Sequence, residues 1–246
     1  MVKADEYRRI LRSSSEWDVY LLEKSGLPGP RGNIELAQAV GEEGNLSLFQ
    51  RYIAFSPSEA PVNSPGEFLV FSGILGLGRL LAEGDHSQLP ILRGFAKDPR
   101  WRIREAVAMA LQRLGDVDMD RLIREMEQWS KGPPLEKRAA AASLCEPRLL
   151  KESSHAIAVL NILDEITSSI EQIDNRRSAE FLVLRKGLAY CWSVATASQP
   201  EEGKKLMEKW LGRADPDISW IMKQNLKKAR LARMDAAWVA KWQNLT

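Results

Sequence analysis

Residues 98–116, DPRWRIREAVAMALQRLGD, constrain this chain more than any other stretch. Apolar positions recur at Ile103, Ala106, Val107, Ala110, Leu111 and Leu114, the i, i+3, i+4, i+7 spacing that lays one buried stripe along a helix. Asp98-Pro99 in front of them supplies a turn and a helix start, because proline forfeits no hydrogen bond in the first turn and Asp98 can cap free amides there. Gly115 is expected to stop the helix. Leu89, Leu92, Phe95 and Ala96 mark an amphipathic segment before the turn, so the stretch reads as helix, turn, helix.

The same alternation of stripe and breaker fills the chain. Short helices are expected over 3–12 and 16–24, the second capped by the Ser13-Ser14-Ser15 run, and a helical pair over 34–43 and 46–55, the first capped by Asn33. Between them, Gly26 suits a left-handed helix end, and Pro28 and Pro30 hold Arg31 on a stiff loop. Residues 56–65 carry three prolines among small polar residues, which marks them as the most mobile internal segment. That segment divides an irregular helical cap, 1–55, from a regular array, 66–246, within one domain. The array holds an unusually apolar helix over 68–81 containing Gly73, Gly76 and Gly78, then pairs at 120–129 with 134–145, 153–173 with 178–197, and 201–211 with 218–234. Asp215-Pro216 repeats the Asp-Pro device, and Trp220 and Lys223 keep the spacing of Trp101 and Arg104.

Composition bounds the function classes. With 44% apolar and 28% charged residues, and no run that alternates as a strand does, the chain reads as all-α. Neither a secretory leader nor a stretch approaching the roughly 18 to 20 apolar residues of a membrane span is apparent, so the expectation is a cytoplasmic protein that does not use a membrane. Cys145 and Cys191 are far apart in sequence and have no neighbouring ligand residue. They read as small core hydrophobes, and no metal or cofactor is expected. A net charge of +2 implies no polyanion by itself.

Local chemistry offers binding residues and no catalytic set. His86 and His155 sit at a turn and a helix start, and no nucleophile with a base can be assembled around them. Arg185 falls inside the apolar stripe of Phe181, Leu184, Leu188 and Trp192, where a charge must find an acid on a neighbouring helix or line an inner surface suited to a carboxylate or phosphate. Lys223, Lys227 and Arg230 form a basic stripe beside the apolar face of Ile218, Met222, Leu226 and Ala229. Arg100, Arg102 and Arg104, with Trp101 among them, add charge and an aromatic at the start of the central helix.

The unit at 98–116, with Asp-Pro, a hydrophobic residue, Arg104 and an Ala-rich helix ending in Leu-Gly-Asp, resembles a HEAT repeat, particularly the short type of phycobilisome lyases. The resemblance implies a right-handed α-α superhelix of degenerate helix pairs, and a non-catalytic scaffold that holds a protein partner on its concave surface. A more distant resemblance is to HEAT-like DNA glycosylases of the alkylation-repair type, which implies duplex DNA as the alternative partner. Trp17-Asp18 resembles the Trp-Asp-x-x-Asp element of those enzymes, with Leu21 where the second acid would stand.

Overall fold

A helix that is apolar on every side is stable only when enclosed. Pro65–Ala82 is such a helix. The computed structural model describes residues 3–245, and every regular element among them is helical. The chain forms two compact units, Met1–Val117 and Asp118–Thr246. In the first, α1 (Lys3–Arg12), α2 (Asp18–Lys24), α3 (Ile34–Glu43), α4 (Leu46–Ile53), α5 (Pro65–Ala82), α6 (Gln88–Phe95) and α7 (Trp101–Val117) are arranged about α5, which packs against α2, α3, α4, α6 and α7. Contrary to the expectation that no stretch reaches spanning length, α5 is long and apolar enough to cross a membrane, and most of it is buried inside the unit.

Close approach to α5 depends on its glycines. A Cβ on Gly76 would enter the ring of Phe49 on α4, and a Cβ on Gly78 would lie 2.5 Å from the Cα of Ala110 on α7. The stripe of α7 is buried as its spacing requires, with Ile103, Val107, Ala110 and Leu114 all in the core. Gly115 does not end the helix, which continues to Val117. The stop comes from the next element, where the Asp118 carboxylate accepts from Arg121 N at 2.9 Å. Nor does the serine run cap α2, whose N-cap is Trp17 without a side-chain bond; Ser13 Oγ instead donates back to Ile10 O at 2.9 Å.

The second unit contains α8 (Met119–Trp129), α9 (Pro134–Leu144), α10 (Ser153–Ser168), α11 (Ala179–Ser198), α12 (Pro200–Leu211), α13 (Pro216–Leu226), α14 (Ala229–Met234) and α15 (Ala236–Leu245). Its helices pack in two layers, α8 on α10 on α12 and α9 on α11 on α13. Fully buried Trp192 of α11 donates to Thr167 Oγ1 of α10 at 3.0 Å, tying one layer to the other. The single helix expected over 218–234 is broken. Buried positions run Ile218, Ile221, Met222, Asn225, Leu226 and then Leu231, while Ala229 is exposed. A step of five cannot stay on one face of a 3.6-residue helix, so the chain takes an extended conformation at Lys228 and restarts as α14 with Leu231 inward.

The glycine packing makes opposed predictions. Gly76→Ala should cost about 1–3 kcal/mol by overpacking. Gly94→Ala, inside α6 with nothing within 4 Å of the added methyl, should stabilise by up to about 1 kcal/mol through helix propensity. Urea unfolding of both variants checks the difference in sign.

Candidate functional site

The second Asp-Pro device builds a cleft. Asp215 caps α13 by accepting from Asp217 N and Ile218 N at 2.9 and 3.1 Å, and it pairs with Arg176 at 2.5 Å. Burial would raise its pKa, but the bonds from Arg176 and the two amides carry it below the usual carboxylate value. Asp217 in turn pairs with Arg185 at 3.0 Å, and the Arg185 guanidinium lies 4.0 Å over the Trp220 ring. Arg185 is thus an interhelical ion pair between α11 and α13 that also braces an aromatic face. Beside this brace, Trp220, Lys223, Gln224, Leu226, Lys227 and Gln243 line an open cleft of about 460 Å³. Among the described residues Lys223 and Lys227 have no acidic partner. Arg230, displaced onto α14 by the helix break, donates to Tyr190 Oη at 2.6 Å and lies 4.6 Å over that ring. The expected continuous stripe is therefore two groups, Lys223 with Lys227 at the cleft and Arg230 on Tyr190.

In the first unit the basic residues are consumed internally, which corrects the expectation for two of them. Arg100 is only 1% exposed. Its guanidinium takes both oxygens of Asp98, at 2.9 and 2.7 Å, and donates to the carbonyls of Ala60 and Phe55 at 3.1 and 3.3 Å. Arg104 donates to the carbonyls of Asp98 and Pro99 at 2.6 and 2.9 Å, closing the turn before its own helix. The Arg100 guanidinium is thereby enclosed, whereas that of Arg104 is only partly buried at the turn. One of these bonds reaches into 56–65, the segment read as the loosest, where a buried cation fastens the carbonyl of Ala60. Arg100→Met should leave Asp98 buried and unpaired, at a cost of about 3–5 kcal/mol. Limited proteolysis should then cut first within 56–64 in the variant and not in the parent.

Trp101 is 45% exposed, with the Arg102 guanidinium 4.4 Å over its ring. Next to it lies a pocket of about 210 Å³ whose walls include Leu27, Ile34, Phe68, Phe71 and Met109. Its polar end is the ion pair of Arg102 with Glu67, Nη1 to Oε2, at 3.3 Å. Arg102 Nη2 also donates to Gly29 O at 2.7 Å and Asn63 Oδ1 at 3.2 Å, and Glu67 Oε2 accepts from Asn63 N at 2.8 Å. Arg31, the cation on the proline loop, stands at the rim. Glu67 escaped the sequence reading, and Arg102 entered it only as one of three charges at the start of the central helix. The available signal was Ser64-x-x-Glu67, a capping-box spacing, and Ser64 does accept from Glu67 N at 3.2 Å.

The remaining candidates are committed to structure. Asp18, of the Trp17-Asp18 pair, receives Arg51 at 2.5 and 2.8 Å and Tyr52 Oη at 2.7 Å, and the Arg51 bond chiefly lowers its pKa. Burial, with the bond to Asp18, raises that of Tyr52. His155 meets Asp120 at 3.1 Å. Cys145 and Cys191, distant in sequence, are buried free thiols that packing of α9 on α11 brings together; burial foremost, then the bond to Cys191, raises the Cys145 pKa well above its ordinary value. No cluster of three metal-ligating side chains occurs among the described residues.

Because the folded pKa of Asp18 is below its unfolded value of about 3.9, its contribution is complete above that pH and disappears as pH falls through the folded pKa. The pair is half-exposed, so the contribution is below about 1 kcal/mol. The gap in Tm between parent and Asp18→Asn should be constant from pH 6 to 7 and should close below about pH 4.

No protein-family model matches this chain, and a search of curated proteins returns no match.

Proposed function

We propose that this chain is a non-catalytic helical scaffold, built from degenerate HEAT-like pairs stacked as an α-α solenoid, that binds an acidic segment of a protein partner. The two-layer packing of α8 to α13 and the recurrence of Asp-Pro at 98–99 and 215–216 support the repeat reading. The observation that carries the binding reading is the cleft at α13, where two lysines without acidic partners flank a tryptophan braced from behind by Arg185. An aromatic held rigid by a cation, with free ammonium groups beside it and the amides of Gln224 and Gln243 at the edge, offers a carboxylate-rich peptide both an anchor and charge complementarity.

Duplex DNA is the second reading, favoured by the same two lysines. The fate of the arginines that the sequence offered for it weighs against it. A protein held by a duplex backbone typically neutralises about 6–10 phosphates, whereas Arg100 and Arg104 are spent on Asp98 and on backbone carbonyls. Arg185 is spent on Asp217.

Fluorescence anisotropy separates the two. A labelled Glu/Asp-rich peptide should bind, and Lys223→Ala with Lys227→Ala should weaken it about tenfold or more. A labelled duplex should show no saturable binding at physiological salt. Duplex binding that falls steeply between 50 and 200 mM salt, together with an unbound peptide, would replace the protein reading with the DNA one.

A further inference from the structure

The pocket beside Trp101 has a feature the α13 cleft lacks. Its polar end holds buried hydrogen-bonding capacity that the chain does not use. Glu67 is 0% exposed and Arg102 is 7% exposed. Oε2 of Glu67 is fully engaged by Asn63 N and Arg102, yet Oε1 has no hydrogen-bond partner, and neither does Nε of Arg102. Buried polar atoms are nearly always paired, because leaving one without a partner forfeits its hydration with nothing in return. Here one acceptor and one donor, belonging to a single ion pair, are both unused, and both residues border the same pocket.

We propose that this pocket is a binding site for a small neutral aromatic molecule bearing a group that both donates and accepts a hydrogen bond, a phenol or a carboxamide. The ring would lie among Leu27, Ile34, Phe68, Phe71 and Met109, with Trp101 as the exposed wall. Its size is right. A dry cavity of about 150 Å³ is known to admit benzene, and this pocket of about 210 Å³ leaves space for one small substituent. Both atoms have almost no surface open to the pocket, so binding turns the carboxyl and the guanidinium towards the substituent, whose hydrogen then goes to Glu67 Oε1 and whose oxygen accepts from Arg102 Nε.

Neutrality follows from charge balance. The guanidinium of Arg102 already offsets the carboxylate of Glu67, Arg31 at the rim is paired with Glu35 at 3.2 Å, and Glu105, the remaining charged residue of the wall, is itself engaged. A cationic or anionic ligand would bring an unbalanced charge into an apolar enclosure, which is costly. A purely apolar ring would leave Oε1 and Nε as they are.

The test uses the whole chain with four probes, p-cresol, toluene, benzylamine and benzoate, whose affinities are measured by ligand-observed NMR titration. p-Cresol should bind at least tenfold more tightly than toluene, and more tightly than either charged probe. Met109→Trp, which fills the pocket without touching the ion pair, should abolish p-cresol binding while circular dichroism stays that of the parent. Glu67→Gln should bring the preference for p-cresol over toluene towards unity; if that variant fails to fold, the probe series with Met109→Trp decides alone. Equal binding of toluene and p-cresol, a preference for benzylamine or benzoate, p-cresol binding that survives Met109→Trp, or no binding of p-cresol would each overturn the proposal. The α13 cleft lies in the other unit and is read by a different ligand, so failure here leaves the acidic-segment reading standing.

Discussion

Each unit is organised around one helix that several neighbours enclose. In the first it is α5, buried almost continuously from Glu67 to Gly78. In the second it is α11, which packs against α9, α10, α12, α13 and α14 and buries Phe181, Leu184, Leu188 and Trp192. Enclosure is where the hydrophobic gain is largest, and it fixes the neighbours before any polar group has a say. Polar groups then set the details. Asn225 on α13 is fully buried, donates to the carbonyls of Leu188 and Ile221 at 2.9 and 2.8 Å and accepts from Ser193 N at 2.8 Å. One amide thereby locks the position of α13 on α11, and with it the cleft at Trp220.

Four arginines of the first unit follow one habit. Arg79 donates to the carbonyls of Gly41 and Gly44 at 2.7 and 3.0 Å, closing the end of α3. Arg100 does the same for Phe55 and Ala60, Arg102 for Gly29, and Arg104 for Asp98 and Pro99. A guanidinium has five donors and a long apolar stem, so it reaches carbonyls that helix ends and loops leave unpaired. These guanidinium groups serve as fasteners of irregular backbone, with donors turned to carbonyls of the chain itself.

That habit also explains what the sequence could and could not tell. Helical periodicity reports burial, because both follow from the same 3.6-residue geometry, and the stripe from Ile103 to Leu114 was legible for that reason. Asn33 and Gly26 were legible too. Asn33 accepts from Leu36 N at 3.2 Å, and Gly26 has a φ of 73°, each a local consequence of residue type. Arg100 was not, because apart from Asp98 its partners are backbone carbonyls that any residue could supply. The break after Leu226 was hidden because Ala229 passes as apolar although it is exposed, and the juxtaposition of Cys145 with Cys191 depends on two helices meeting, which no spacing encodes. At the α13 cleft, Trp220, Lys223 and Lys227 were legible from the repeated spacing. At the Trp101 pocket Trp101, Arg102 and the loop cation Arg31 stood out, and Glu67 did not.

The contact of Gly78 with Ala110 carries a consequence for descent. Where two helices touch backbone to backbone, any added methyl must be accommodated by the opposite chain, since neither has a flexible side chain to move aside. The two sites therefore change together or stay small, and Gly76 is bound in the same way to the bulk at Phe49. Apolar stripes drift freely among Leu, Ile, Val and Met over evolutionary time, whereas these steric pairings do not. Distant kin of this chain, too diverged for overall similarity to register, would retain a small residue opposite a small residue at the α5 and α7 crossing, and a ring seated over a missing side chain at the crossing of α4 with α5.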